Sequence, residues 1–65
     1  MDSYKEEYNH WLMRYYKGCA YLEKHPEEHD KYIGELLKIL DELNRLINVY
    51  NITGLEITRG FYIED

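Results

Sequence analysis

Cysteine, proline and glycine are scarce in this 65-residue chain, and each scarcity excludes a class of structure. The single cysteine, Cys19, cannot form an internal disulfide, and it rules out multi-cysteine zinc sites and CxxC redox motifs. No apolar run approaches the roughly 18 residues of a membrane-spanning helix, and the polar start Met1-Asp2-Ser3 is unlike a signal peptide. We therefore expect a soluble, cytoplasmic protein without a membrane segment.

Basic residues are also few, with 8 Lys and Arg against 13 Asp and Glu, which gives a net charge of −5. This balance disfavours non-specific binding to nucleic acid or to anionic membranes. A single domain spanning residues 1–65 buries only about 60% of the surface that its unfolded chain exposes. Small domains without disulfides gain stability from metals or from self-association, and here we expect self-association.

Tyrosine is abundant, with eight copies, and the aromatic content disfavours disorder. Apolar and aromatic residues that recur every three or four positions predict a first helix over residues 4–24. Met13, Tyr16 and Ala20 widen its apolar face on one flank. Pro26 lacks an amide hydrogen and disfavours helix at His25, so the helix is expected to end there. The apolar seam consists of Tyr4, Tyr8, Trp11, Tyr15, Gly18 and Leu22.

A second helix is predicted over residues 26–50, with Pro26 in its first turn. Two parallel apolar rows follow this helix, and the short link to the first helix implies an antiparallel hairpin. The first row is Ile33, Leu36, Leu40, Leu43, Ile47 and Tyr50, and the second is Tyr32, Ile39 and Leu46.

The tail, residues 51–65, changes character after the helix-ending residues Asn51 and Gly54. Apolar and polar residues alternate at 55–58 and at 61–63, which predicts two short strands or one bent extended segment. An isolated hairpin of this size is unstable in water, so the segment must pack on the helices or pair with another chain.

Two helices alone cannot cover two apolar faces of this width. Either the tail folds back over them, or a second copy of the chain supplies the missing layer. Because twofold interfaces are the commonest in oligomers, the sequence favours a dimer that forms a four-helix bundle.

No motif in the chain indicates chemistry, and we predict no catalytic, cofactor-binding or metal site. His25 and His29 stand four residues apart, but Pro26 disrupts the regular helix that two ligands on one face require. Cys19 lies on the apolar face of the first helix, where a thiol behaves as a small hydrophobic group. We therefore expect a protein that is not an enzyme.

The aromatic residues indicate an interface, because Tyr and Trp are enriched at binding hot spots. We predict a small protein–protein interaction module, a regulator or inhibitor, which binds a partner protein and forms a homodimer. One alternative is an acidic mimic of nucleic acid, and another is nucleic-acid binding through the outer face of the first helix, at His10, Arg14, Lys17, Tyr21 and Lys24. The candidate interface residues are Tyr8, Trp11, Tyr15, Tyr32, Phe61 and Tyr62.

Overall fold

The computed structural model describes residues 3–62, which form two long helices and a C-terminal segment that folds back onto the first helix. Helix α1 spans Ser3–Lys24 and helix α2 spans His29–Tyr50. A single turn of 3-10 helix, Pro26–Glu28, joins them, and a short helix α3 spans Glu56–Arg59. The predicted helical hairpin is confirmed, with α1 beginning at Ser3 and α2 beginning at His29.

Proline ends α1 and asparagine ends α2. His25, directly before Pro26, leaves the helical region with φ −130° and ψ 65°, because the proline ring crowds the preceding residue. At the other end, Asn51 adopts the left-handed conformation with φ 56° and ψ 47°. Its N–H and that of Ile52 both donate to the carbonyl oxygen of Ile47, and the helix ends there.

The core consists mainly of one aliphatic stripe of α2. Its buried residues come from both predicted rows, two from each, whereas Tyr50, expected in the first row, is 45% exposed. Helix α1 contributes Tyr8 and Leu12, and the C-terminal segment contributes Ile52. The buried residues of α2 are Leu36, Ile39, Leu43 and Leu46.

The C-terminal segment is not a strand, and residues 3–62 contain no strand at all. Residues 55–58, predicted to be extended, belong instead to a helical turn, in which the N–H of Arg59 donates to the carbonyl of Leu55 at 2.8 Å. An alternation over four residues is too short to distinguish the two-residue repeat of a strand from the 3.6-residue repeat of a helix. In addition, the turn is stabilised by contacts with α1 that the local sequence does not reveal. Phe61 and Tyr62 follow α3 without regular structure, and Ile63 lies outside the described residues.

The chain itself provides part of the cover that two wide helical faces need. Of the two possibilities left open by the sequence, the folding back of the tail is seen here, with Ile52 buried beside the helices and Phe61 packed against the core. Within the described residues, neither long helix has a stretch both long and apolar enough to cross a membrane.

Candidate functional site

Asn9 of α1 holds the C-terminal segment in place. Its side-chain amide Nδ2 donates to the carbonyl oxygen of Phe61 at 2.7 Å, and its Oδ1 accepts from the N–H of Phe61 at 2.6 Å. One asparagine therefore satisfies both backbone groups of one residue, in the manner of a strand partner. The close approach depends on Gly60, where φ is 82° and an added Cβ would lie 2.6 Å from Asn9 Oδ1.

Two tyrosine hydroxyls add further contacts between α1 and the segment. Tyr8 Oη donates to the carbonyl oxygen of Ile57, and Tyr16 Oη donates to that of Thr58, each at 2.6 Å. The Phe61 ring packs edge-on against the rings of Tyr4 and Tyr8, with centroids 5.8 Å apart in both pairs. Burial raises the pKa of the Tyr8 phenol, with a smaller contribution from Tyr16, which favours the protonated donor.

Tyr8, one of the predicted interface residues, is therefore an internal residue of the folded chain. It is only 1% exposed, because the C-terminal segment covers the ring that a second chain would have to reach. Phe61, which is also one of the predicted interface residues, is half-buried against the Tyr8 ring. At this place the tail, one of the two covers that the sequence left open, lies over α1.

The other predicted interface residues differ in their surroundings. Trp11 is half-buried and receives the Arg14 guanidinium over its ring at 5.2 Å. Tyr32 packs edge-on against Tyr21 near the turn, with ring centroids 5.6 Å apart. Tyr15 is half-buried and Tyr62 is 90% exposed. The role of these residues at an interface stays a prediction.

A groove opens where α1 meets the C-terminal segment, and we call it the α1–tail groove. Its volume is about 480 Å³, and its apolar side chains remain open, with Met13 58% and Tyr16 47% exposed. Lys17 on α1 and Arg59 on α3 bring two cations to it. The lining residues are Asn9, Leu12, Met13, Tyr16, Lys17, Ala20, Arg59 and Phe61.

The helical spacing of α1 contains a signal for this groove, because Met13, Tyr16 and Ala20 form the flank that widens the apolar face. Positions 9, 12, 13, 16, 17 and 20 follow the three-and-four spacing of one helix face, beside the buried seam. The contribution of Arg59 and Phe61 has no local signal, because it depends on where the tail folds.

A second groove lies between the two helices near the turn, and we call it the hairpin groove. It has a volume of about 340 Å³ and contains Leu37, which is 53% exposed. A hydrogen bond with Cys19 is the main cause that raises the pKa of Tyr15 in this groove, and the Cys19 side chain is half-buried. The lining residues are Tyr15, Cys19, Leu22, Glu23, His29, Ile33, Leu36, Leu37 and Leu40.

Charge is distributed unevenly along α1. Residues 8–22 contain no Asp or Glu, although the chain has 13 acidic residues. Lys17 and Arg59 form no salt bridge with any residue of the described part of the chain. Arg45, in contrast, donates to Glu42 at 2.9 Å and lies 3.5 Å from Glu7. The α1–tail groove is therefore a locally basic place on an acidic protein.

The turn between the helices gathers one imidazole and two carboxylates. Donor atoms of His25, Glu27 and Glu28 lie within 4.8 Å of one another, whereas His29 lies beside Asp30 at 3.4 Å. His25 Nδ1 is 3.4 Å from Glu27 Oε1, and both side chains are exposed. Exposed groups commonly approach this closely without a metal, so the cluster receives no role here.

The same turn holds a contact that changes the acidity of a phenol. The Tyr21 hydroxyl donates to Glu28, and this hydrogen bond is the main cause that raises the pKa of Tyr21 to about 12. Tyr21 also packs against the His25 ring, with centroids 4.6 Å apart. Two residues of the basic outer face, Arg14 and Tyr21, therefore already make contacts within the chain.

Comparison of the chain with protein-family models, with curated proteins and with solved structures finds no match in any of the three. The geometry of the two grooves is therefore the basis for the function proposed below.

Proposed function

We propose that this protein is a non-enzymatic interaction module, a regulator or inhibitor, which binds a partner protein through the α1–tail groove. The observation that carries the proposal is that Met13 and Tyr16 remain 58% and 47% exposed after the chain has folded its own tail onto α1. Apolar side chains gathered in a concave place are typical of binding sites, and about 480 Å³ lies within their usual range of roughly 300–1,000 Å³.

The polar groups of the groove support binding rather than catalysis. The Asn9 amide is bonded to Phe61, and the Tyr16 hydroxyl donates to Thr58, so both have structural partners. Among the described residues that line the groove, no nucleophile stands beside a general base. The remaining polar groups are the cations of Lys17 and Arg59, which suit recognition of a charged partner.

A crosslinking experiment tests this function at the groove itself. A photoreactive amino acid at Met13 should give one discrete protein adduct in cells of the native host, because the side chain is exposed in the groove. The matched control is Val49, an apolar residue of α2 that is 61% exposed and lies outside both grooves. No discrete adduct at Met13, or the same adduct at Val49, would contradict the proposal.

We further propose that the hairpin groove pairs with a second copy of the chain to form a four-helix dimer. Leu37 is 53% exposed beside the half-buried Ile33 and Leu40, and a twofold partner would cover all three. Additional burial is also what a domain of this size needs most.

Sedimentation velocity of the purified protein tests the dimer. The wild type is expected to sediment as a dimer and Leu37→Glu as a monomer, because a carboxylate would be buried at the contact. Val49→Glu introduces the same charge elsewhere on α2 and should leave the dimer intact. A wild type that remains monomeric at every concentration would exclude the dimer without affecting the proposal for the α1–tail groove.

A further inference from the structure

The chemistry of the α1–tail groove indicates which kind of partner it fits, and this inference rests on the proposed protein-binding function. We propose that the groove binds an acidic amphipathic segment of the partner. An apolar side chain of that segment packs between Met13 and Tyr16, and its carboxylates contact Lys17 and Arg59.

Charge complementarity is the first argument. The 15 residues from 8 to 22 carry no carboxylate, and Lys17 and Arg59 have no salt-bridge partner among residues 3–62. Lys17 belongs to α1 and Arg59 to α3, so cations approach the groove from both of the elements that build it. Carboxylates placed between them would gain two ion pairs without displacing an existing one.

The length and the apolar character of the lining favour a helical segment. The α1 residues of the groove run from Asn9 to Ala20, a distance of about 16 Å at 1.5 Å per residue, which matches three turns of a helix. Amphipathic helices bind in such grooves through apolar side chains three or four positions apart. Met13, which is flexible and 58% exposed, can adapt to such a side chain.

A polypeptide fits these features better than a nucleic acid does. Binding to nucleic acid depends on several phosphate contacts, whereas this groove offers two cations, and its Phe61 ring already packs against Tyr4 and Tyr8. The net charge of −5 also repels a phosphate backbone at long range, while a short peptide carries too few charges to be excluded.

Selection from a library of displayed random peptides of about 11 residues, the length of three helical turns, provides the test. The wild type should enrich peptides with Asp or Glu beside aromatic or aliphatic residues. The variant K17E/R59E should enrich peptides with Lys or Arg instead. Both residues are exposed, so these substitutions leave the core unchanged.

A matched control separates the groove from the net charge. K31E/K38E replaces two exposed lysines of α2, and like K17E/R59E it changes the net charge by −4, from −5 to −9. It should keep the acidic preference of the wild type. For one enriched acidic peptide, we expect K17E/R59E to weaken binding about tenfold or more, and K31E/K38E to weaken it about twofold at most.

Four outcomes would overturn the inference. The first three are an absence of acidic enrichment, an equal loss of affinity in both double variants, and tighter binding of a single-stranded oligonucleotide than of the peptide. The fourth is a large gain in peptide affinity for a chain ending at Tyr62, which would make the chain's own acidic residues Glu64 and Asp65 the occupant.

The two proposals can fail separately. If Met13 crosslinks a cellular protein while the selection shows no acidic preference, the protein-binding function stands and this inference falls. If the selection and the charge reversal succeed, the chemistry of the groove is established even where the crosslink is absent.

Discussion

Replacement of Asn9 by alanine should release the C-terminal segment from α1. The substitution removes both hydrogen bonds to Phe61, at 2.7 and 2.6 Å, and leaves a half-buried N–H and C=O without their partner. Asn44, an exposed residue in the interior of α2 without a side-chain hydrogen bond among the described residues, offers the matched control. Asn44→Ala makes the same chemical change in a helix but removes no contact with the tail.

The expected magnitude follows from two opposing effects. Each lost hydrogen bond costs about 1 kcal/mol, and the exchange of asparagine for alanine in a helix returns about 0.5 kcal/mol. Asn9→Ala should therefore lower the free energy of unfolding by about 1.5 kcal/mol, whereas Asn44→Ala should raise it by about 0.5 kcal/mol. A domain of this length has only about 3–10 kcal/mol of stability in total, so the difference of about 2 kcal/mol is readily measured.

Urea unfolding followed by circular dichroism gives these free energies, and hydrogen exchange locates the effect. The Gly60 amide, which donates to the carbonyl of Glu56 at 2.9 Å, reports on whether α3 is formed. This amide should exchange faster in Asn9→Ala than in the wild type, and at the wild-type rate in Asn44→Ala. Equal unfolding free energies for the two variants, with equal exchange at Gly60, would refute the role assigned to Asn9.

Three further predictions concern the tail and the turn. Gly60→Ala should destabilise the fold by about 1–3 kcal/mol, because Gly60 has a positive φ. Gly34→Ala, where an added Cβ meets nothing within 4 Å, should stabilise the fold by about 1 kcal/mol. Urea unfolding of both variants tests the two opposite signs. Tyr8→Phe should lower the free energy of unfolding by about 1 kcal/mol in the same assay, because the carbonyl of Ile57 loses its donor. An unchanged free energy of unfolding would contradict this hydrogen bond. Absorbance titration should show one phenol ionising at about 12, absent in Tyr21→Phe. Because the pKa of Tyr21 in the folded protein lies above the ordinary 10.0, the contact stabilises the fold below pH 10, and this stabilisation is lost as the pH rises towards about 12. Identical titrations of the wild type and Tyr21→Phe would contradict the contact.

The helical hairpin was predictable because its signals are long and local. Both helices repeat their apolar residues over about twenty positions, and Pro26 and Asn51 mark the ends of α1 and α2 through their own backbone preferences. Such signals do not depend on the rest of the chain, so sequence spacing was sufficient to identify them.

The tail was not predictable in the same way, because its conformation depends on contacts with residues far along the chain. Ile57, Thr58 and Phe61 bond to residues of α1 that lie 42 to 52 positions away. The same long-range contacts bury Tyr8, a residue of a type that is enriched at interfaces, beneath its own chain. Composition identifies surfaces that need a cover, but it does not identify which segment provides the cover.

The most direct test of this account is a nuclear Overhauser measurement between the ring protons of Phe61 and those of Tyr4 and Tyr8. The α1–tail groove exists only if the segment lies on α1, where the Phe61 ring centroid is 5.8 Å from both tyrosine rings. We expect cross-peaks from Phe61 to both rings, together with their loss in Asn9→Ala. A wild-type spectrum without these cross-peaks, in which residues 56–61 show random-coil shifts, would contradict the fold of the tail, the groove and the function assigned to it.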